Sequence, residues 1–71
     1  MNRPIEAVFE SIKSKVDQLE GLSEEISYEI NSDSPAEEIF IDIDRRARQA
    51  IALLQAVKDE AYEGRLKAVR S

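Results

Sequence analysis

The sequence has neither cysteine nor histidine among its 71 residues, and it has only two glycines. The lack of cysteine excludes disulfide frameworks, zinc ribbons and thiol nucleophiles, and it fits a reducing compartment such as the cytoplasm. The lack of histidine removes the Glu-x-x-His pairs of di-metal bundles. Neither a P-loop nor a G-x-G-x-x-G spacing occurs. These absences predict no enzyme, no metal site and no cofactor.

Long apolar runs are also missing. No stretch approaches the roughly 20 apolar residues that span a bilayer. The N-terminal segment carries Glu6 and Glu10 where a signal peptide needs an apolar centre. We therefore expect a cytoplasmic protein with no membrane contact.

Basic residues are scarce in the middle of this acidic chain, whose net charge is −5. No lysine or arginine lies between Lys15 and Arg45, and ten acidic residues fill that interval. Such a block repels nucleic acid and favours plain solvation or a basic partner.

The first half of the chain has the spacing of an amphipathic helix from about residue 4 to residue 31. Pro4 suits a helix start, where its missing N–H is harmless. Gly21 costs about 1 kcal/mol relative to alanine, but the apolar pattern keeps its phase across it, which favours one continuous helix. The apolar positions are Ile5, Phe9, Ile12, Val16, Leu19, Ile26 and Ile30.

A second helix is predicted from about 35 to 69, after a turn at 31–34 rich in residues that hydrogen-bond nearby backbone. Ser34, Pro35 and Glu37 match a capping box, with serine as the N-cap and glutamate three residues later. The apolar positions that follow at three-four spacing are Phe40, Ile43, Ala47, Ala50, Leu54, Val57 and Ala61.

A β-hairpin is the alternative for the middle of the chain. Residues 25–31 and 38–44 each contain an alternating stretch, so an α-β-β-α fold could form there. It would require an isolated two-stranded sheet, which is a marginal unit. The longer helical periodicity favours the all-α alternative.

We therefore predict one domain over residues 1–71, an antiparallel helical hairpin. Large residues of one helix then face small residues of the other, with paired residue numbers that add to about 66. The predicted seam consists of Phe9, Ile12, Val16, Leu19, Ile26, Phe40, Ile43, Ala47, Ala50, Leu54 and Val57.

A hairpin has more apolar residues here than one seam can bury, which predicts a protein partner. A homodimer that forms a coiled-coil-like four-helix bundle would bury the extra apolar residues of both copies in one interface. The alternative is a helix of another protein that binds in the groove between the two helices. The expected interface residues are Val8, Leu22, Ile39, Ile41, Ile51 and Leu53.

Arg45, Arg46 and Arg48 form the one basic cluster and could contact RNA phosphates. In hairpin length and heptad spacing, the chain resembles the helical-hairpin dimers of the plasmid RNA-modulator type, which implies such a role. Nearby acids, among them Asp42 and Asp44, would neutralise the cluster, so nucleic acid is the less favoured partner.

The string RRARQAIALLQAVKDEA, residues 45–61, follows an acidic turn and an amphipathic helix. It resembles the small hairpin co-chaperones that shield needle subunits in type III secretion. That resemblance implies a chaperone-like shield for a partner helix. The sequence as a whole predicts a non-enzymatic interaction or regulatory module that binds through an apolar helix face.

Overall fold

Two antiparallel helices form the protein in the computed structural model, which describes residues 4–70. Helix α1 is Ile5–Ile30 and helix α2 is Ala36–Arg70, and together they extend over 53 × 17 × 14 Å. The predicted all-α hairpin is confirmed. The β-hairpin alternative is wrong, because residues 25–30 and 38–44 are helical. Residues 1–3 and 71 of the predicted domain lie outside the described residues.

Both helices begin directly after a proline. Pro4 has extended backbone angles, φ −66° and ψ 158°, and its carbonyl accepts the amides of Ala7 and Val8 at 3.0 and 3.2 Å. The carbonyl of Pro35 accepts the amide of Ile39 at 3.1 Å. Helix α2 therefore begins one residue later than the predicted capping box, in which Ser34 was the N-cap. Proline suits this place because it has no amide hydrogen to leave unpaired.

The turn ends α1 through backbone and side-chain hydrogen bonds. The Asn31 amide donates to the Tyr28 carbonyl at 3.1 Å, and Asn31 Nδ2 donates to the Ser27 carbonyl at 3.0 Å. Ser32 bonds the Glu29 carbonyl twice, through its amide at 3.1 Å and its hydroxyl at 2.8 Å. These bonds satisfy carbonyls that would otherwise be orphaned at a helix end, as the composition of the turn predicted.

Helix α1 is continuous through Gly21. The apolar stripe that keeps its phase on both sides of the glycine explains this, because packing against α2 outweighs the local entropic cost. The prediction of one helix over this region, instead of two shorter ones, is confirmed.

The register of the two helices differs from the predicted one. Lys15 contacts Glu60 and Glu25 contacts Arg46, so paired numbers add to 75 and 71, where about 66 was predicted. The difference is close to one heptad, so α1 faces residues about two turns further along α2 than predicted.

The residues of the seam differ as well. Phe9 and Phe40, both predicted in the seam, are 67% and 70% exposed, and Val16 and Leu54 also lie outside it. Val8, at 2% exposure, is the buried residue of the described chain. Buried and half-buried residues recur at three-four spacing at Ile5, Val8, Ile12, Lys15, Leu19, Leu22, Ile26 and Glu29 of α1, and at Ile39, Ile43, Arg46, Ala50, Leu53, Val57, Glu60, Gly64 and Lys67 of α2. We call these two rows the seam.

Helix α2 projects beyond α1 at the turn. It has 35 residues and α1 has 26, a difference of nine. Near the other end of the hairpin, Val8 lies beside Gly64. In this register Ile30 lies level with about residue 43, so the surplus length of α2 falls at its N-terminal end. At that end of the hairpin, Ile30 of α1 lines one groove with Ile39 and Phe40 of α2.

Candidate protein-binding face

The seam follows a heptad repeat in both helices. Writing the repeat as abcdefg, Ile12 and Leu19 of α1 occupy a positions, as do Ala50 and Val57 of α2. The d positions include Val8 and Leu22 but also charged residues. A heptad whose a and d positions face the neighbouring helix is the geometry of a coiled-coil pair.

The e positions of both helices lie outside the seam and, apart from Ser23 of α1, are apolar. On α1 they include three large residues, and on α2 they alternate large and small along the helix. Most of them are exposed to solvent. We call seven of these apolar residues the outer apolar face, and it consists of Phe9, Val16, Ile30, Phe40, Ala47, Leu54 and Ala61.

The two halves of the outer apolar face lie on the same side of the hairpin. Phe9 of α1 and Ala61 of α2 line one surface groove. Ile30 of α1 and Phe40 of α2 line another, nearer the turn. In an antiparallel helix pair the e positions flank the seam together, so this juxtaposition follows from the heptad and the chain direction.

The opposite side of the hairpin is polar by comparison. There, at the g positions, Gln18 and Glu25 of α1 line a groove together with Gln49 of α2. The hairpin therefore has one apolar and one polar broad side. An exposed apolar surface edged by polar residues marks an interaction site.

The seam itself contains charges. Lys15 Nζ lies 2.8 Å from Glu60 Oε1, with the two side chains 24% and 12% exposed, and it also donates to Ser11 Oγ at 2.8 Å. Arg46 Nε donates to Glu25 Oε2 at 3.4 Å. Half-buried ion pairs fix the register of a helix pair but add little net stability, because desolvation offsets attraction. The outer apolar face has no such charge at its seven positions.

The six predicted interface residues fall into two groups. Val8, Leu22, Ile39 and Leu53 lie in the seam, where the partner helix of the same chain contacts them, whereas Ile41 and Ile51 are exposed by 57% and 55%. Their role in binding another molecule stays a prediction. The sequence analysis recognised the residues of the outer apolar face as apolar positions, but assigned five of the seven, all except Ile30 and Ala61, to the seam.

Each arginine of the basic cluster has an acidic partner. Arg45 pairs with Asp42, Arg48 Nε lies 2.9 Å from Asp44 Oδ2, and Arg46 reaches across the seam to Glu25. Arg46 is also only 18% exposed, with Nη1 buried. The cluster is thus locally neutralised, and Arg46 faces α1. Phosphate binding by Arg45, Arg46 and Arg48 stays a prediction that this arrangement does not favour.

Two other kinds of site were sought over residues 4–70. No group of three or more acidic side chains there is arranged to hold a metal ion. No helix in the same range is long and apolar enough to cross a membrane.

Comparison of the chain with protein-family models, with curated proteins and with solved structures finds no match.

Proposed function

We propose that the protein is a non-enzymatic interaction module that binds a helical protein surface through its outer apolar face, completing a four-helix bundle. The observation that carries this proposal is the row of exposed apolar e positions shared by α1 and α2, led by Phe9 at 67% and Phe40 at 70% exposure. A helix in a four-helix bundle buries residues at its a and d positions and also at e or g. Here the seam accounts only for a and d, so the apolar e positions are left for a partner.

The surface area of the chain supports the proposal. Its accessible surface is 5596 Å² for a mass of 8.1 kDa, whereas a compact monomer of that mass exposes about 4,500 Å². The excess of about 1,100 Å² is of the size that one partner buries in a standard interface, about 800 Å². Two helices alone cannot enclose a core, and a second pair can.

The test replaces one residue of the face, Leu54→Gln, and uses Val69→Gln as the matched control on a different side of α2. We expect Leu54→Gln to abolish the complexes of the protein, both self-association in sedimentation velocity and co-purification from the source cell. Val69→Gln should retain them. Far-UV circular dichroism would show that both variants are helical. If Leu54→Gln retains every complex of the unmodified protein, the outer apolar face is not the binding surface.

RNA remains the second candidate partner from the sequence, and its test is separate. Binding to RNA would fall as salt rises, and it would weaken when Arg45 and Arg48 are changed to glutamine. A complex held by the outer apolar face would survive moderate salt, because apolar burial is not screened.

A further inference from the structure

The charged residues that border the outer apolar face indicate which partner the face binds. We propose that the face binds the same face of a second copy, with a two-fold axis beside Ile51, so that the α2 helices of the two subunits run antiparallel. This inference rests on the proposed function and specifies its partner. The resulting assembly is a symmetric four-helix bundle with one isologous interface.

The outer edge of the face on α2 is formed by b positions, which border the e positions on a helix. They are, in order, Glu37, Asp44, Ile51, Lys58 and Arg65. Two acids precede the isoleucine and two bases follow it, all at seven-residue spacing. When two copies of this row lie antiparallel, the acidic residues of each copy face the basic residues of the other.

An axis beside Ile51 brings opposite charges together. Asp44 and Lys58 stand seven residues on either side of Ile51, and Glu37 and Arg65 stand fourteen residues away. When two α2 helices run antiparallel about that axis, Asp44 faces the partner's Lys58 and Glu37 faces the partner's Arg65. Electrostatic complementarity of this kind selects the partner and its orientation more than it adds affinity.

The same axis matches large residues with small ones inside the interface. Phe40 and Ala61 lie eleven and ten residues from Ile51, on opposite sides, and Ala47 and Leu54 lie four and three residues away. Phe40 therefore lies beside the partner's Ala61, and Leu54 beside the partner's Ala47. Alternation of large and small side chains lets facing helices interdigitate.

The axis also accounts for Ile51, a large apolar residue that is 55% exposed in the single chain. In the dimer it lies against the partner's Ile51 and loses its contact with water. On α2 an uncharged residue suits this position, because a charge on the axis would meet its own copy.

The first test uses cysteine cross-linking, for which the chain offers a clean background because it has no cysteine of its own. Ile51→Cys should give a covalent dimer with a short bis-maleimide reagent at micromolar protein concentration. Ile41→Cys, at similar exposure, is the matched control. Its two copies would stand about 30 Å apart, from 20 residues at 1.5 Å each, and should remain uncoupled. Failure of the Ile51→Cys variant to cross-link while it is dimeric in solution would overturn the proposal.

The second test reverses the two halves of the charged row. Lys58→Glu with Arg65→Glu gives one variant, and Glu37→Lys with Asp44→Lys gives the other. Each variant alone should dimerise about tenfold or more weakly than the unmodified chain, and an equimolar mixture should form the heterodimer, because every facing pair is again opposite in charge. This rescue separates interface repulsion from damage within a chain, such as loss of the Asp44–Arg48 pair.

The outcomes separate this inference from the proposed function. In one outcome Leu54→Gln abolishes the dimer, but the dimer neither cross-links through Ile51→Cys nor shows rescue on mixing. The outer apolar face is then still the binding surface, and the symmetric arrangement is overturned. A chain that stays monomeric over a wide range of concentrations, or a complex with a different protein alone, likewise overturns the second copy as partner.

Discussion

The charged residues of the seam are the part of the molecule where single side chains decide the pairing. Lys15 lies between the helices with its ammonium 2.8 Å from both Glu60 and Ser11. A group in this position must keep its partners, since a half-buried charge without one is more costly than no charge at all.

We expect Lys15→Met to lower the free energy of unfolding by about 1 to 3 kcal/mol, because the contact between the Lys15 ammonium and the Glu60 carboxylate is lost where water screens poorly. The double change of Lys15 and Glu60 to leucine should recover the loss or exceed the unmodified stability. Asp17→Asn, exposed on the same helix, should change stability by less than about 0.5 kcal/mol. Urea unfolding followed by circular dichroism measures all three. An unchanged stability in Lys15→Met would mean that the pair does not hold the seam.

At the scale of the element, the sequence predicted the helices well and their contact surface poorly. The periodicity of apolar residues, the prolines and the turn residues 31–34 located α1 and α2 to within about one residue at each end. The same periodicity could not choose the seam. The e positions Phe40 and Leu54 are more hydrophobic than the d positions Arg46 and Glu60, so the stripe of a and e positions was assigned to the seam.

In the structure a and d form the seam, and the register gives the charged d residues Lys15, Glu60 and Arg46 partners of opposite charge on the other helix. Lys15 meets Glu60 and Arg46 meets Glu25, contacts that depend on two helices at once and are invisible to a pattern along one. The e residues of both helices then lie together on the outside. The apolar residues of the candidate site could thus be listed from the sequence. The sequence did not show which apolar row faces the other helix and which faces solvent.

The glycines give a prediction that belongs to the helices. Around an added Cβ at Gly21 there is no atom within 4 Å, and at Gly64 the nearest is Val8 Cγ1 at 3.5 Å, an ordinary contact. Gly21→Ala and Gly64→Ala should each raise the free energy of unfolding by about 0.5 to 1 kcal/mol, because alanine loses less conformational entropy in a helix.

A larger side chain distinguishes the two glycine sites. Gly64→Leu should destabilise by about 1 to 3 kcal/mol, because it overpacks against Val8 in the seam. Thermal unfolding by circular dichroism tests each variant. A destabilising Gly21→Ala would show that α1 bends at Gly21 in a way that needs glycine.

At the scale of the whole molecule, the hairpin is long and thin. Its radius of gyration is 16.2 Å, whereas a compact domain of this length has about 11 Å. A bundle completed by a second hairpin has a better ratio of buried to exposed surface, which is the usual remedy for a chain too small to make its own core.

Small-angle scattering can distinguish how two copies associate. A face-to-face dimer doubles the mass of 8.1 kDa while the longest dimension stays near 53 Å, because the two hairpins lie side by side. Association through the projecting end of α2 would nearly double that dimension. We therefore expect mass and cross-section to increase with protein concentration, and length to change little.

The uneven distribution of charge between the two surfaces of α2 has a consequence for the lifetime of the protein. The seam within one chain includes Lys15, Arg46 and Glu60, whereas the surface offered to a partner is uncharged at its centre. In the proposed dimer, a solitary chain is held by the seam alone and opens more often than a paired one, and opened chains are the substrates of proteases. Association withdraws chains from that opening by mass action. We expect degradation to remove newly made chains at low abundance and to spare them above the dissociation constant, so that the cell would hold either very little of this protein or a lasting supply.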